Sequence, residues 1–332
     1  MKSRNRKYAI ICSGGNAPGM STCVTVFCKK CLAHGIHPIA FKNGFVGLHD
    51  DIHMDLSSRP STHYLNEGSA LIGSSRCTQF RDNLQYRKHC VAVLKKHKVD
   101  GVVVVGGEGS YKGAMELAKL GVRVITVPAT IDNDVASTSY TIGFDTCLNT
   151  ICDVVSKVND VFLSHRGIAL IELMGKTCPD LTIRSAIANN TTYMVTNYSK
   201  LKPADFLRIA KSYMAKGYPN ATFLIVEKLY PKEGSESLDA IAKWLEKQTG
   251  LFTRHVEVGY IQRGGRPSAR DRLLANYMVN LAVDELLAGK RNKAICRRTR
   301  ETISCDLAKA VTMKRKSPNK SLIAIWNKTN QE

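Results

Sequence analysis

Short apolar runs rich in β-branched residues alternate along this chain with longer stretches whose apolar positions recur at helical spacing. The runs Tyr8–Cys12, His37–Phe41, Gly101–Val105, Val122–Val127, Ile168–Leu173, Tyr193–Val195, Ala221–Val226 and Val256–Ile261 predict strands. Between them the pattern predicts helices over Gly19–Ala33, Ser110–Leu120, Asp145–Phe162, Pro203–Lys216, Leu238–Thr249 and Arg270–Ala288. Strand–helix–strand alternation implies parallel sheets wound by right-handed crossovers, an α/β fold. Sites in such folds lie beyond the carboxyl ends of strands. Three glycine- or carboxylate-bearing segments stand at such ends here.

Composition narrows the class. At 332 residues, 44% hydrophobic and 23% charged, the chain is long enough for two lobes and ordinary for a soluble globular protein. No apolar run approaches the roughly 18–20 residues needed to span a bilayer. The basic start Met1–Lys7 is followed only by the short run Tyr8–Ile11 before glycine, too little for a signal peptide, so a cytoplasmic location is expected. The 11 cysteines then read as reduced thiols. Cys28-Lys-Lys-Cys31 has CxxC spacing but no second pair to complete a zinc site, and two small side chains on a helix are expected. A net charge of +20 exceeds what one phosphate site requires, and much of it lies in Lys290, Arg291, Lys293, Arg297, Arg298 and Arg300, then Lys314, Arg315, Lys316 and Lys320. No stacking aromatics interleave with that run, which favours a solvated surface over nucleic-acid binding.

Candidate chemistry sits in three places. The first predicted strand runs into Ser13-Gly-Gly-Asn-Ala-Pro-Gly-Met20, where glycine lets backbone approach a phosphate at a helix start; a tight structural turn is an equal reading. Neither GxxxxGK[ST] nor GxGxxG is spelled there. Gly101–Val105 is followed by Gly106-Gly-Glu-Gly-Ser110, where Glu108 reads as a Mg²⁺ ligand or as a surface carboxylate in a turn. The run ending at Val127 leads into Pro-Ala-Thr-Ile-Asp-Asn-Asp134. Spacing of two aims Asp132 and Asp134 to one side if the segment is extended, where one could deprotonate a hydroxyl and the other help bind metal.

These segments, in order with GSSRCTQFRD (Gly73–Asp82), TIGFDT (Thr141–Thr146), ELMGK (Glu172–Lys176) and GYIQRGG (Gly259–Gly265), resemble the ATP-dependent 6-phosphofructokinase family from about residue 7 to about residue 290. The resemblance implies two lobes of doubly wound, mainly parallel sheets with flanking helices. Residues 1–142 with about 262–310 would form an ATP-binding lobe, and 143–261 with about 311–332 a sugar-phosphate lobe. It implies ATP as donor, Mg²⁺ as cofactor, fructose 6-phosphate as acceptor in glycolysis, and a homotetramer. Gly15, Arg76, Cys77, Gly107, Glu108, Gly109 and Ser110 would line the ATP site, with Glu108 near Mg²⁺. Thr130, Ile131 and Asp132 would meet the sugar's 1-hydroxyl, Asp132 as base. Met174, Gly175, Lys176 and Glu227 would hold the sugar, while Arg254, Tyr260, Gln262 and Arg263 would grip the 6-phosphate. Relatives that use pyrophosphate carry Asp at the place of Gly109 and Lys at the place of Ala129, so ATP is the expected donor.

The sequence departs from the family pattern at Asn16 and Glu108, each an Asp in relatives, and at Gly167, which aligns with a phosphate-binding Arg one step after Arg166. Tyr260 replaces a His and Lys176 an Arg. At the family's effector site the matching positions read Thr25, Lys29, Asn159, Lys216 and Tyr218, short of cations, which implies weak allosteric control. A catalytically weakened paralogue binding nucleotide or nucleic acid, or a kinase for another sugar phosphate, are the alternatives.

Overall fold

The computed structural model describes residues 6–58, 65–315 and 320–330, with side chains in the last segment from 321 to 328. The basic residues of Met1–Asn5, Lys316 and the side chain of Lys320 lie outside the described set. In chain order the elements are β1 (Lys7–Ser13), α1 (Met20–Ala33), β2 (His37–Phe41), α2 (Gly44–His49), β3 (His53–Asp55), α3 (Thr78–Asp82), α4 (Leu84–Lys96) and β4 (Gly101–Gly106). There follow α5 (Glu108–Lys119), β5 (Val124–Pro128), α6 (Phe144–His165), β6 (Ile168–Leu173), α7 (Asp180–Asn189), β7 (Tyr193–Val195), α8 (Pro203–Ala215) and β8 (Ala221–Val226). The remainder is α9 (Leu238–Thr249), β9 (Thr253–Glu257), a 3₁₀ turn (Gly259–Arg263), α10 (Ala269–Leu287), β10 (Lys293–Arg298), β11 (Glu301–Asp306), α11 (Leu307–Thr312) and α12 (Lys320–Asn330).

Two compact units divide the chain: 1–146 with 263–315, and 147–262 with 316–332. The first is built on a seven-stranded sheet of order β11-β10-β5-β4-β1-β2-β3. Its five central strands are parallel, and the edge strands β3 and β11 run antiparallel. Tyr8–Cys12 and Val102–Val105 are buried throughout, as a parallel sheet covered on both faces requires. The chain leaves β1 for β2 on one side and later returns through β4 on the other, so a topological switch point lies between β1 and β4. The second unit holds a parallel sheet of order β7-β8-β6-β9. α9 spans the predicted Leu238–Thr249: Ser237 caps it by accepting from Ala240 N at 3.2 Å, Gly250 ends it at φ +69°, and Leu238, Ile241 and Leu245 bury its inner face.

Three sequence expectations need correction. The strand predicted over Val256–Ile261 runs instead over Thr253–Glu257, because Gly259 at φ +59° breaks the extension and Tyr260, Ile261 and Gln262 wind into the 3₁₀ turn. The basic run after 290, over which the residue pattern predicts no element, forms a β-hairpin. Ala294, Ile295 and Cys296 are buried, while Arg298 and Arg300 project at its wet end around Thr299. Asp132 and Asp134 do not share one side of an extended segment. Ile131 and Asp132 lie in a turn and Asn133 is left-handed at φ +50°, so Asp132 is buried and Asp134 only partly so. Among the described residues no helix is long and apolar enough to cross a membrane.

Candidate active site

The carboxyl ends of β1, β4 and β5 finish level, with Ser13 opposite Gly106 and Gly106 opposite Pro128. Each strand then turns sharply. After β1, Gly14 takes φ +98° and its N–H donates to Ser75 O at 3.0 Å, while Ser74 Oγ donates to Gly14 O at 2.6 Å. Gly19, left-handed at φ +99°, admits the chain to α1. Asn16 clamps this loop. Its Nδ2 donates to Gly68 O and Arg263 O, both at 2.8 Å, and its Oδ1 accepts from Ala70 N at 3.0 Å. Arg263 lies over the turn: a Cβ at Gly15 would stand 2.8 Å from Arg263 Nη1. Glycine at position 15 therefore makes room for a guanidinium beside the loop.

After β4 the second turn opens α5. Ser110 is buried, and its Oγ donates to Ser13 O at 2.9 Å, tying the two turns together. Its N–H and that of Tyr111 bond Gly107 O at 3.0 and 3.1 Å, which leaves the α5 start as a helix N-terminus with amides of Glu108 and Gly109 at its positive end. Glu108 is exposed and pairs with Lys112 at 2.5 Å. An ideal Cβ at Gly109 meets nothing within 4 Å. Arg76 is exposed; Cys77 is half-buried and immediately precedes α3.

After β5, Ala129 N bonds Gly106 O and Thr130 N bonds Ile142 O, each at 3.0 Å. Thr130 and Ile131 are buried, and Asp132 is 1% exposed. Asp132 N donates to Thr130 Oγ1 at 3.2 Å, and Thr130 Oγ1 lies 3.5 Å from Asp132 Oδ2. Thr141 Oγ1 donates to Thr130 O at 2.7 Å, and Arg315 Nη1 reaches Asn133 O. Nearby, Asp271 in the first turn of α10 accepts from Thr146 N at 2.8 Å and Thr146 Oγ1 at 2.6 Å. Burial lifts its carboxyl to about 6, against the pull of the Thr146 bonds. The first unit thus collects Gly15, Arg76, Cys77, the Gly107–Ser110 turn, Thr130, Ile131, Asp132 and Arg263.

The second unit carries the remaining candidates. β6 ends in a strained loop with Gly175 at φ +153° and Lys176 at φ +50°. Glu227 Oε1 braces it, accepting from Gly175 N at 3.2 Å and Lys176 N at 2.9 Å. Gln262 is fully buried, and its Oε1 accepts from Met174 N at 2.8 Å. It therefore acts on this loop from within the protein, whereas Tyr260 is 83% exposed. Arg254, on edge strand β9, pairs with Glu246 at 2.8 Å and lies over the Phe252 ring. His255, not singled out in the sequence, stands between Glu172 and Asp239; burial pushes its pKa down, but those two carboxylates outweigh it and hold the imidazole above its ordinary value.

The family model for phosphofructokinase matches residues 7–286. The chain belongs to the phosphofructokinase family. Curated relatives agree along the whole length: an ATP-dependent 6-phosphofructokinase from Tolumonas auensis is 35% identical over 317 residues, covering 96% of this chain and 97% of that one. One from Vibrio cholerae is 35% identical over 311 residues, covering 93% and 95%. Among solved structures, phosphofructokinase from Saccharomyces cerevisiae superposes with TM-score 0.83 at 24% identity, covering 98% of this chain; the chain spans about half (47%) of that longer polypeptide. A pyrophosphate-dependent phosphofructokinase from Marinobacter aquaeolei gives TM-score 0.84 at 18% identity, covering 94% of this chain and 86% of that one. The last two establish the phosphofructokinase fold and leave the phosphoryl donor to be argued from residues.

Two departures from the phosphofructokinase pattern have visible causes. Gly167 is buried at the start of β6, where a Cβ would stand 2.3 Å from Phe252 O and 2.9 Å from the Phe162 ring, so no arginine fits there. Arg166 beside it is exposed in a left-handed turn at φ +52°. Asn16 replaces an acid because its amide must donate to two carbonyls. Of the effector-site matches, Thr25 Oγ1 bonds Ser21 O at 3.0 Å, Asn159 Oδ1 accepts from Thr222 Oγ1 at 2.6 Å, and Tyr218 stacks on Tyr213 with centroids 4.0 Å apart. Cys28 and Cys31 are buried on α1 with thiols pushed up, chiefly by burial.

Proposed function

We propose that this chain is an ATP-dependent 6-phosphofructokinase, moving the terminal phosphoryl group of ATP to the 1-hydroxyl of fructose 6-phosphate. The observation that carries the reading is a buried carboxylate, Asp132, just beyond a strand end that is level with two glycine turns, in a chain of this family. Phosphoryl transfer asks a protein mainly for positioning and for positive potential around a spreading negative charge. Amides at the α5 start hold ATP phosphate oxygens, and Gly15, Arg76, Cys77, Gly107, Glu108, Gly109 and Ser110 line the nucleotide. Ser110 does so through backbone, since its hydroxyl is spent on Ser13 O.

Asp132 takes the proton of the sugar's 1-hydroxyl as that oxygen bonds to the γ-phosphorus. The bond to the bridging oxygen breaks, and ADP leaves with the electron pair. Thr130 and Ile131 position the acceptor beside this carboxylate, and Arg263 offsets phosphate charge. The donor set suits Mg²⁺, which binds through one or two carboxylates and substrate phosphates; Glu108, at the head of α5, would hold it, where it would neutralise phosphate charge. Met174, Gly175, Lys176, Glu227, Arg254 and Tyr260 bind fructose 6-phosphate, with Gln262 as a brace under Met174. Gly109 supports ATP over pyrophosphate, because the space beside it is open for a nucleotide's α-phosphate. A homotetramer in the cytoplasm is the matching assembly, with Arg254, exposed on an edge strand, acting across a subunit boundary. The inward bonding of Thr25 and Asn159 supports weak response to ADP or phosphoenolpyruvate.

Purified protein with MgATP and fructose 6-phosphate should release ADP and form fructose 1,6-bisphosphate, identified by ³¹P NMR, with pyrophosphate a poor donor. Binding of ATP without turnover on any sugar phosphate would favour a non-catalytic paralogue instead.

A further inference from the structure

A second cluster of chemistry-bearing side chains occupies elements of the first unit that carry none of the residues given a role above. Asp51 lies in the turn between α2 and β3, left-handed at φ +55°, and backbone bonds hold that turn: Ile52 N to Gly47 O at 2.8 Å and Lys42 N to Ile52 O at 2.9 Å. His53 opens β3 in register with Phe41, and His97 is the C-cap of α4. One donor atom from each of Asp51, His53 and His97 lies within 4.8 Å of the others. Asp51 Oδ1 is 2.5 Å from His97 Nε2 and 3.3 Å from His53 Nδ1, and the two imidazole centroids are 4.2 Å apart. Both rings stand against Phe41, at 6.2 and 6.0 Å.

These distances suit a metal as well as protons. A tetrahedral zinc with bonds of about 2.0–2.1 Å holds its ligand atoms roughly 3.3 Å apart. Asp51 and His97 are mostly buried, with side chains 24% and 16% exposed, while His53 at 40% has room to turn its ring inward. Lys96 Nζ holds the other carboxylate oxygen at 2.8 Å, an outer partner that orients Asp51. Two imidazoles and one carboxylate select borderline transition ions over Mg²⁺ or Ca²⁺.

We propose that Asp51, His53 and His97 form a binding site for one zinc-class divalent ion, with water completing its shell. The ion takes the place of the hydrogen bond between His97 and Asp51, and it ties the α2–β3 turn to the end of α4. Binding to the folded state alone raises the unfolding temperature in proportion to the logarithm of metal concentration.

The test strips full-length protein with chelator and titrates Zn²⁺ against a chromophoric competitor at neutral pH. One ion per chain is expected, with affinity reduced at least about tenfold in His53→Ala and in His97→Gln, and kinase activity unchanged in both. Cobalt substituted for zinc should give a spectrum of nitrogen and oxygen ligands. Absence of binding, equal affinity in the His53→Ala/His97→Gln double variant, or a thiolate-to-cobalt charge-transfer band would each overturn the site. Should His97→Gln fail to fold, His53→Ala, at an exposed side chain, decides the matter alone.

Discussion

Asn16→Asp restores the acid that relatives carry at this position, and it should nonetheless weaken this protein. The Asn16 amide nitrogen donates at 2.8 Å to Gly68 O and to Arg263 O, and a carboxylate would face both carbonyls with an oxygen instead. Two hydrogen bonds worth about 1 kcal/mol each are lost, with two part-buried carbonyls left behind at about 1 kcal/mol or more apiece. The bond from Ala70 N at 3.0 Å becomes charge-assisted and returns about 1 kcal/mol. The net loss is about 3 kcal/mol, or roughly 6–12 °C in unfolding temperature for a unit of this size. Facing carbonyls raise the new carboxyl's folded pKa above its unfolded value, so the loss is small in acid and grows as pH rises through the raised pKa. Scanning calorimetry of both proteins at pH 5 and pH 8 measures this. A variant as stable as the parent at pH 8, or one whose deficit shrinks as pH rises, would refute the amide clamp. Because the clamp fixes the loop that carries Gly15, which lines the nucleotide, the variant should also bind ATP more weakly.

Other consequences follow from the same geometry. Gly109→Asp should leave unfolding unchanged, because its Cβ meets nothing within 4 Å, yet raise the KM for ATP by about tenfold or more through crowding and repulsion of the nucleotide phosphates. Asp271, lifted to about 6 by burial, stabilises the fold most when protonated. That contribution is complete below the unfolded pKa near 3.8 and is lost as pH rises to about 6. The stability of the parent minus that of Asp271→Asn, read from urea melts, should therefore fall by up to about 3 kcal/mol over that window; a flat difference contradicts the assignment. Glu227→Ala releases the Gly175 and Lys176 amides and should raise the KM for fructose 6-phosphate by about tenfold with the KM for ATP little changed. Equal changes in both would place Glu227 elsewhere in the reaction.

Much of this architecture is legible in residue pattern alone. Gly101–Val105 announces a buried strand by its unbroken apolar run, and Ser237 with Gly250 marks both ends of α9. The glycine turns are equally visible, because each follows such a strand. What the pattern hides is long-range bonding. Nothing local to Ser110 says that its hydroxyl is consumed by Ser13, nor does Asn16 reveal that Gly68 and Arg263 need its amide. Gln262 reads as a polar ligand in Tyr-Ile-Gln-Arg, but the 3₁₀ turn rotates it inward and Tyr260 outward. β10 and β11 are hidden because three buried residues, Ala294–Cys296, are flanked by lysines and arginines that mask a strand signal. Gly167 illustrates the reverse case, where a missing arginine is explained only by Phe252 O filling the space its Cβ would need.

The most direct test of the central claim replaces the Asp132 carboxylate with the isosteric amide and compares turnover under saturating MgATP and fructose 6-phosphate. If Asp132 accepts the proton of the attacking hydroxyl, kcat for Asp132→Asn falls by about 10²–10⁴-fold while ATP affinity by calorimetry stays close to that of the parent. A variant that keeps more than about a tenth of the parental kcat contradicts the assignment of Asp132 as the base.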